Sequence, residues 1–538
     1  MNTKTSEEKY DVVIIGAGIS GMYQLHMLRN LGLSVKVFEA GSDVGGTWYW
    51  NRYPGCRFDS ESYSYCYSFS KELLDEWTWS EHFSAQPETL SYLQFVAEKF
   101  DLKKDIQFNA RVKSVTYQEK LGCWATKTND GQVASSKFVI TAIGALSSPY
   151  IPDFEGKDSF LGDSWHTSQW PKEVVDLSKK KVGVIGTGAT AVQLITEVAK
   201  NVGHLTVFQV KPEYCVPLGN RPIDEKTQRE IKANYSSYFA KCKSTWGSFL
   251  HGFDERSALD VPAEEREELF EKLWAEPGFA LWLANFHDIF TNREANDFVS
   301  EFVRKKIKQQ IDNPVLAEKL CPTDHGFGLR RVPMESGYYK VYGQNNVTLV
   351  DLNETPIERI TESGIRTSTT DHDLDLIVYA TGFDAITGAF NQIDIVGEKG
   401  NKLKDKWADG PSTYLGLSSA GFPNLFTLVG PHNAATFCNI PRCIEQNVEW
   451  VTDCIRYLKD NGYTKISAKP DAETEWTEHV YDSVSPSLLL ETDSWFVGAN
   501  IPGKKRTFLQ YAGGNPVYRE KCDAEAATGY GGFELERE

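Results

Sequence analysis

Twice in this chain a run of buried-strand character breaks into a glycine-rich turn, then into a helix and a second strand. That repeat constrains the fold more than any other feature. Residues 12–21 read VVIIGAGISG and lead on to VKVFE; residues 182–191 read VGVIGTGATA and lead on to LTVFQ. Short, nearly unbroken apolar runs suit strands covered on both faces, as in parallel sheets with crossover helices. The spacing therefore predicts two βαβ units of the kind that seats a dinucleotide pyrophosphate on a helix N-terminus.

A chain of 538 residues exceeds what one hydrophobic core supports, so several domains are expected. The fold class read from the pattern is α/β, with two dinucleotide-binding, Rossmann-like domains and a helical insertion. Residues 1–150 and 385–538 are assigned to a discontinuous FAD-binding domain, and 151–222 and 328–384 to a discontinuous NADP-binding domain. Residues 223–327 change character: Leu269 and Leu273, or Val299, Val303 and Ile307, recur at helical spacing, which reads as an insertion in the second domain. Strand-like runs return at VTLVD and LDLIVYATGFD.

Composition removes several classes of function. With 41% hydrophobic and 24% charged residues the chain is globular and not disordered. A net charge of −17 without a basic cluster excludes a polyanion partner such as nucleic acid. No apolar run is long enough for a bilayer, and the start MNTKTSEEKYDVVIIGAG lacks a signal-peptide pattern, so a cytoplasmic, non-membrane protein is expected. A monomer or weak homo-oligomer is the expected assembly. Ten irregularly spaced cysteines read as small buried hydrophobes, with no disulfide framework and no metal site.

In the first unit Gly16 permits a tight turn, Gly18 lets backbone approach a pyrophosphate and Gly21 allows close helix–strand packing. Glu39 ends the second strand, where a carboxylate accepts ribose hydroxyls and repels a 2′-phosphate, favouring FAD or NAD. The second turn carries Gly186, Thr187, Gly188, Ala189, Thr190 and, one helical turn on, Gln193 as cofactor contacts. It has no acidic residue at its strand end and continues instead into Val210-Lys211. Lys211, with Arg330 from a distant loop, is expected to meet the 2′-phosphate of NADPH. Two dinucleotide sites in one chain imply electron transfer from a nicotinamide to a flavin.

The loop GTWYWNRYPGCRFD, residues 46–59, and the segment FLGDSWHTSQWP, residues 160–171, then narrow the chemistry. The first resembles a signature of class I Baeyer–Villiger monooxygenases through Gly46, Trp48, Tyr53, Pro54, Gly55 and Asp59. The second is similar to that family's fingerprint through Phe160, Gly162, His166, Trp170 and Pro171. The likeness runs on through ATGFD at 380–384 and SWFVGANIPGK at 494–504, and is nearest to the cyclohexanone and phenylacetone types. It implies an enzyme that uses NADPH, FAD and O2 to turn cyclic, aryl or linear ketones into lactones or esters, through a flavin C4a-peroxide and a tetrahedral adduct.

The resemblance further implies that Thr47, Trp48, Arg57, Asp59 and Tyr65 contact the flavin cofactor, and that Arg331, oriented by Asp59, is the catalytic cation. Arg330 falls at a cation for the NADP phosphate, and Trp495 at a tryptophan of a closing lid. His166, in contrast, falls at a structural domain connection. Phe437, Cys438 and Met334 are expected in the substrate pocket. One departure stands out: the family usually has Arg-Thr where this chain has Val210-Lys211. Rival readings are an N- or S-hydroxylating flavin monooxygenase, and a disulfide reductase using Cys438 and Cys443. Trp170-Pro171 and Arg331 speak against the first. The late position of the cysteines, with Pro441 between them, speaks against the second.

Overall fold

The computed structural model describes residues 8–434 and 438–537. Two separate sheets organise it. The larger has eight strands, with Glu8–Ile15 flanked in parallel by Val35–Phe38 and Val133–Thr141. The first half of Val133–Thr141 pairs antiparallel with Cys123–Thr128. Its second half pairs in parallel with Leu425–Thr427, a strand from the last third of the chain. Residues Asp394–Val396 also join this sheet, beside Val112–Gln118.

The apolar runs are explained by what covers them. Side chains alternate faces along a strand: Val12 and Ile14 enter a core with Met22, Leu25 and Leu28 of the helix Ile19–Asn30, while Val13 and Ile15 enter a second core with Trp124, Trp407 and Phe422. Since both faces are dry, no polar position interrupts the run.

The smaller sheet is wholly parallel, in the order Val347–Asp351, His204–Gln209, Lys181–Ile185, Leu376–Tyr379, Asp163–His166. Gly162, just before its edge strand, has no room for a side chain: a Cβ there would lie 2.6 Å from the Phe160 ring and 2.7 Å from the Asp375 carbonyl oxygen. Between the strands His204–Gln209 and Val347–Asp351 run the helices Glu225–Ser244, Ala263–Ala275, Arg293–Lys308 and Pro314–Leu320. Three of the four start at an Asx cap, with Asp224, Asn292 and Asn313 accepting from backbone N–H groups of the first turn. Leu273, Val299, Val303 and Ile307 face the core as their spacing requires.

Among the described residues no helix is long and apolar enough to cross a membrane, and no group of His, Cys, Asp and Glu could hold a metal ion. Eight cysteines are free thiols, seven of them buried. Cys438 and Cys443 instead form a disulfide, which corrects the expectation that all ten are unpaired. That expectation weighed spacing in sequence. The first turn of the helix Ile440–Asp460 brings the two α-carbons to 6.8 Å.

Candidate active site

Each glycine-rich turn delivers an uncapped helix. The helix Ile19–Asn30 begins at Gly18 and the helix Ala189–Val198 at Gly188, and neither cap residue supplies a side-chain acceptor. The first-turn N–H groups are thus left for an anion. The turns are built alike. Gly16 (φ +103°) and Gly186 (φ +109°) each lie so close to the neighbouring strand end that a Cβ would sit 2.5 Å from a carbonyl oxygen, of Ala142 and Ala380 respectively. At Gly21 a Cβ would be 1.9 Å from the Gly16 oxygen, while Gly188 faces open space.

Glu39 sits just past Val35–Phe38 and is 5% exposed. Its carboxylate accepts from the Ala17 N–H (2.7 Å) and the Gly41 N–H (2.6 Å), bridging the turn to the strand end. Burial pushes its pKa up against those backbone donors. Gly46 closes over the turn, since a Cβ on it would lie 2.8 Å from the Gly18 α-carbon. Behind it Thr47 and Trp48 open a short helix. Trp48 meets Phe58 and Tyr65 edge-on, and Tyr65 stacks on Phe58 at 4.4 Å. A cradle of backbone donors with one buried carboxylate at the ribose position fits a dinucleotide without a 2′-phosphate.

At the second turn Thr187 donates to the Lys211 carbonyl (2.6 Å), holding the strand end against the turn. Lys211 is half exposed and pairs with Asp324 at 3.1 Å. Arg330 pairs with the same carboxylate at 3.1 Å and with Glu213 at 3.5 Å, and His325 lies between the two carboxylates. The structure thus brings Lys211 and Arg330 together across 119 residues of sequence (330 − 211). The carboxylates of Glu213 and Asp324 are members of this cluster that sequence reasoning missed. Burial by itself would push His325 down; its hydrogen bonds to Asp324 and Glu213 outweigh that and hold the imidazole above its ordinary 6.5.

Asp59 and Arg331, 272 residues apart, are in direct contact: an Arg331 terminal nitrogen donates to Asp59 Oδ2. The carboxylate is buried (2% side-chain exposure), whereas the guanidinium is 28% exposed. Arg331 also donates to the Val332 carbonyl (2.8 Å) and lies over the Phe279 ring at 5.6 Å. Two of its donors are engaged by these contacts, and the others of its fork are left for further partners.

Gln193, expected to touch a cofactor, instead has its amide engaged by protein. It accepts from the Tyr53 hydroxyl (2.8 Å) and donates to the Arg57 carbonyl (3.0 Å) and toward Asp59 Oδ1 (3.4 Å). Thr190 lies beside the same Tyr53 hydroxyl, and Ala189 starts the helix. Arg57 is likewise engaged, by Glu81 and the Phe83 carbonyl, both at 3.1 Å.

His166 is fully buried between Ser168 and the Gly382 carbonyl (2.9 Å), its pKa pushed down by burial. It joins the strand Asp163–His166 to the ATGFD turn, a structural task. Trp495 packs, as Ala145 does, against the cluster of Ala385, Ile386 and Leu509. Two residues before it, the Asp493 carbonyl accepts from Arg330 Nε at 2.9 Å. Met334, expected in the pocket wall, is 3% exposed and pairs with Val216 in a two-stranded ladder, so it belongs to the core. Cys438 is bonded to Cys443, and its neighbour Asn439 bridges Ser64 to Gly247. Phe437 lies outside the described residues.

Comparison with known proteins matches residues 9–213 to the family described as "FMO-like: Flavin-binding monooxygenase-like". The chain is 46% identical to the 2-oxo-Δ3-4,5,5-trimethylcyclopentenylacetyl-CoA monooxygenase of Pseudomonas putida, over 99% of this chain and 100% of that one. It is 41% identical to the acetone monooxygenase (methyl acetate-forming) of Gordonia sp. strain TY-5, over 98% and 99%. A crystal structure of OTEMO in complex with FAD and NADP superposes with a TM-score of 0.96 at 46% identity, covering 99% of this chain and 100% of that chain. The chain belongs to the Baeyer–Villiger monooxygenases. The two uncapped turns match in number the two cofactors, FAD and NADP, named in the OTEMO complex. In this Baeyer–Villiger monooxygenase the strand His204–Gln209 runs on into Val210-Lys211, which places the cation of that strand end on Lys211.

Proposed function

We propose that this chain is an NADPH- and FAD-dependent monooxygenase that inserts one oxygen atom of O2 beside the carbonyl of a small-molecule ketone, giving an ester or lactone, in the cytoplasm. The Arg331–Asp59 contact carries the reading. When bound, FAD reduced by NADPH supplies the oxygen-activating chemistry. The chain's own residues then have to stabilise the negative oxygen that develops as the ketone carbonyl is attacked. A guanidinium stays charged at any working pH and offers a fork of donors, and the buried Asp59 fixes its direction. The apolar Phe279 face keeps water from one side of it, which strengthens its field. FAD is assigned to Gly16, Gly18, Gly21, Glu39, Gly46, Thr47, Trp48 and Tyr65. NADPH is assigned to Gly186, Thr187, Gly188, Lys211 and Arg330, beneath the Trp495 segment. The relatives named above act on a coenzyme A thioester and on acetone, so ketone size is set by this chain's own pocket.

The deciding experiment is incubation of the holoenzyme with NADPH, labelled O2 and a panel of cyclic, aryl and linear ketones, with mass spectrometry of products. One labelled oxygen in an ester or lactone supports the reading. Oxidised amines or sulfides with no ester from any ketone would replace it by N- or S-oxygenation.

Two cofactor predictions follow from the cation cluster. Lys211→Ala is expected to raise KM for NADPH roughly fivefold and leave KM for NADH unchanged, a modest effect because the lysine is half exposed; unchanged NADPH kinetics would remove Lys211 from the site. The second concerns pH. The raised His325 pKa means its ion pairs contribute fully below 6.5 and are lost as pH rises through the higher folded value. KM for NADPH should therefore climb as pH rises above 6.5 through the raised folded value, and the climb should flatten in His325→Gln. An equally steep climb in that variant assigns the effect elsewhere.

A further inference from the structure

Away from the two turns, a cavity of about 310 Å³ opens between residues 384–411 and the segment following Trp495. Its charge runs against the rest of the molecule. On a chain of net charge −17, this cavity is lined by three lysines, Lys404, Lys504 and Lys505, and by one carboxylate, Asp384. That carboxylate is already neutralised: Lys504 Nζ donates to Asp384 Oδ1 at 2.6 Å and to the Ala385 carbonyl at 3.0 Å. Lys404 is exposed, and Lys505 stands 3.8 Å from the exposed Asp409, beyond hydrogen-bond reach. Lys404 is therefore left to face an anion, with Lys505 held only by its long ion pair to Asp409.

Volume and charge together select the ligand. The cavity is at the small end of ligand pockets and holds the charged part of a ligand, not a whole cofactor. Compact ammonium groups act as point charges that suit phosphate oxygens. The cavity also shares a wall with the site described above. Leu509 lines it and packs with Trp495, Ala385 and Ile386 on its other side. Asn500, between Trp495 and the lysines, donates to the Phe383 carbonyl at 2.8 Å, next to His166. A ligand anchored here would lie along the segment that carries Trp495.

We propose that this pocket binds the diphosphate of a phosphorylated carrier tail on the ketone substrate, of the coenzyme A thioester class. The assignment rests on the ketone-oxygenating reading above. Binding leaves that reaction unchanged and adds charge recognition to one substrate class.

The test uses holoenzyme saturated with NADP+, so that the cluster at Lys211 and Arg330 is filled. Titration with inorganic pyrophosphate should give one site per chain in wild type and about tenfold or more weaker binding in Lys404→Glu/Lys505→Glu, as expected for losing two favourable charges. In steady state the same variant should raise KM for the coenzyme A thioester of 2-oxocyclopentaneacetic acid about tenfold, with kcat unchanged and with cyclopentanone kinetics unmoved. Absent pyrophosphate binding, or equal binding in the variant, overturns the anion site. Lysine-dependent pyrophosphate binding with unmoved thioester kinetics overturns the substrate-tail assignment and leaves a site for a free anion. Failure of every ketone to react would instead sink the ketone reading, and the titration would still report on the pocket.

Discussion

Arg331→Ala is expected to abolish ester or lactone formation, with the oxygenation rate falling about a thousandfold, as when a preorganised donor to a developing oxyanion is removed. NADPH should still bleach the flavin in this variant, because the Gly186 turn, Lys211 and Arg330 are untouched. Arg331→Lys should recover little of the loss: one compact ammonium cannot both hold Asp59 and present further donors. Asp59→Asn should fall between the two, keeping the charge on Arg331 and losing its anchor. The measurement is product formation per NADPH oxidised. If Arg331→Ala made ester at the wild-type rate, the central assignment of this site would be wrong.

The second large effect is at Gly21. An added methyl would lie 1.9 Å from the Gly16 carbonyl oxygen, a backbone atom held by the neighbouring strand, so neither partner can yield cheaply. Gly21→Ala should purify with little or no flavin and melt earlier, by more than the 1–3 kcal/mol typical (roughly) of overpacked cores. Gly188→Ala is the control. Its methyl would meet nothing within 4 Å, so the protein should keep its flavin and stability while binding NADPH less tightly through crowding of the phosphate. Equal flavin content in Gly21→Ala and wild type would show that the turn has room that its backbone does not display.

Both turns and the strands beside them were legible because their signals are local: a doubly buried strand leaves an unbroken apolar run, and a tight turn leaves glycines at fixed offsets. The insertion's helices were legible for the same reason, through the spacing of their apolar residues. The contact between Asp59 and Arg331 was not local, since neither residue's surroundings name a partner 272 positions away; only resemblance supplied it. Glu213 and Asp324 stayed hidden because a search for phosphate cations passes over nearby acids. Gln193 and Arg57 were placed by motif, yet their polar atoms serve the seam between the two sheets. Burial of Met334 and the bond between Cys438 and Cys443 depend on packing that spacing cannot express.

The seam at Gln193 has a consequence for timing. Asp59 belongs to the part of the chain around the larger sheet, while Gln193 and Arg331 come from the segments that build the smaller one and its insertion. Sliding the two sheets apart would pull Gln193 from Tyr53 and Asp59 in the same movement that draws Arg331 off its carboxylate. The cation is therefore aimed only while both halves are docked. Aiming the cation and docking the two halves are thus one geometric condition, because Asp59 is shared by both contacts.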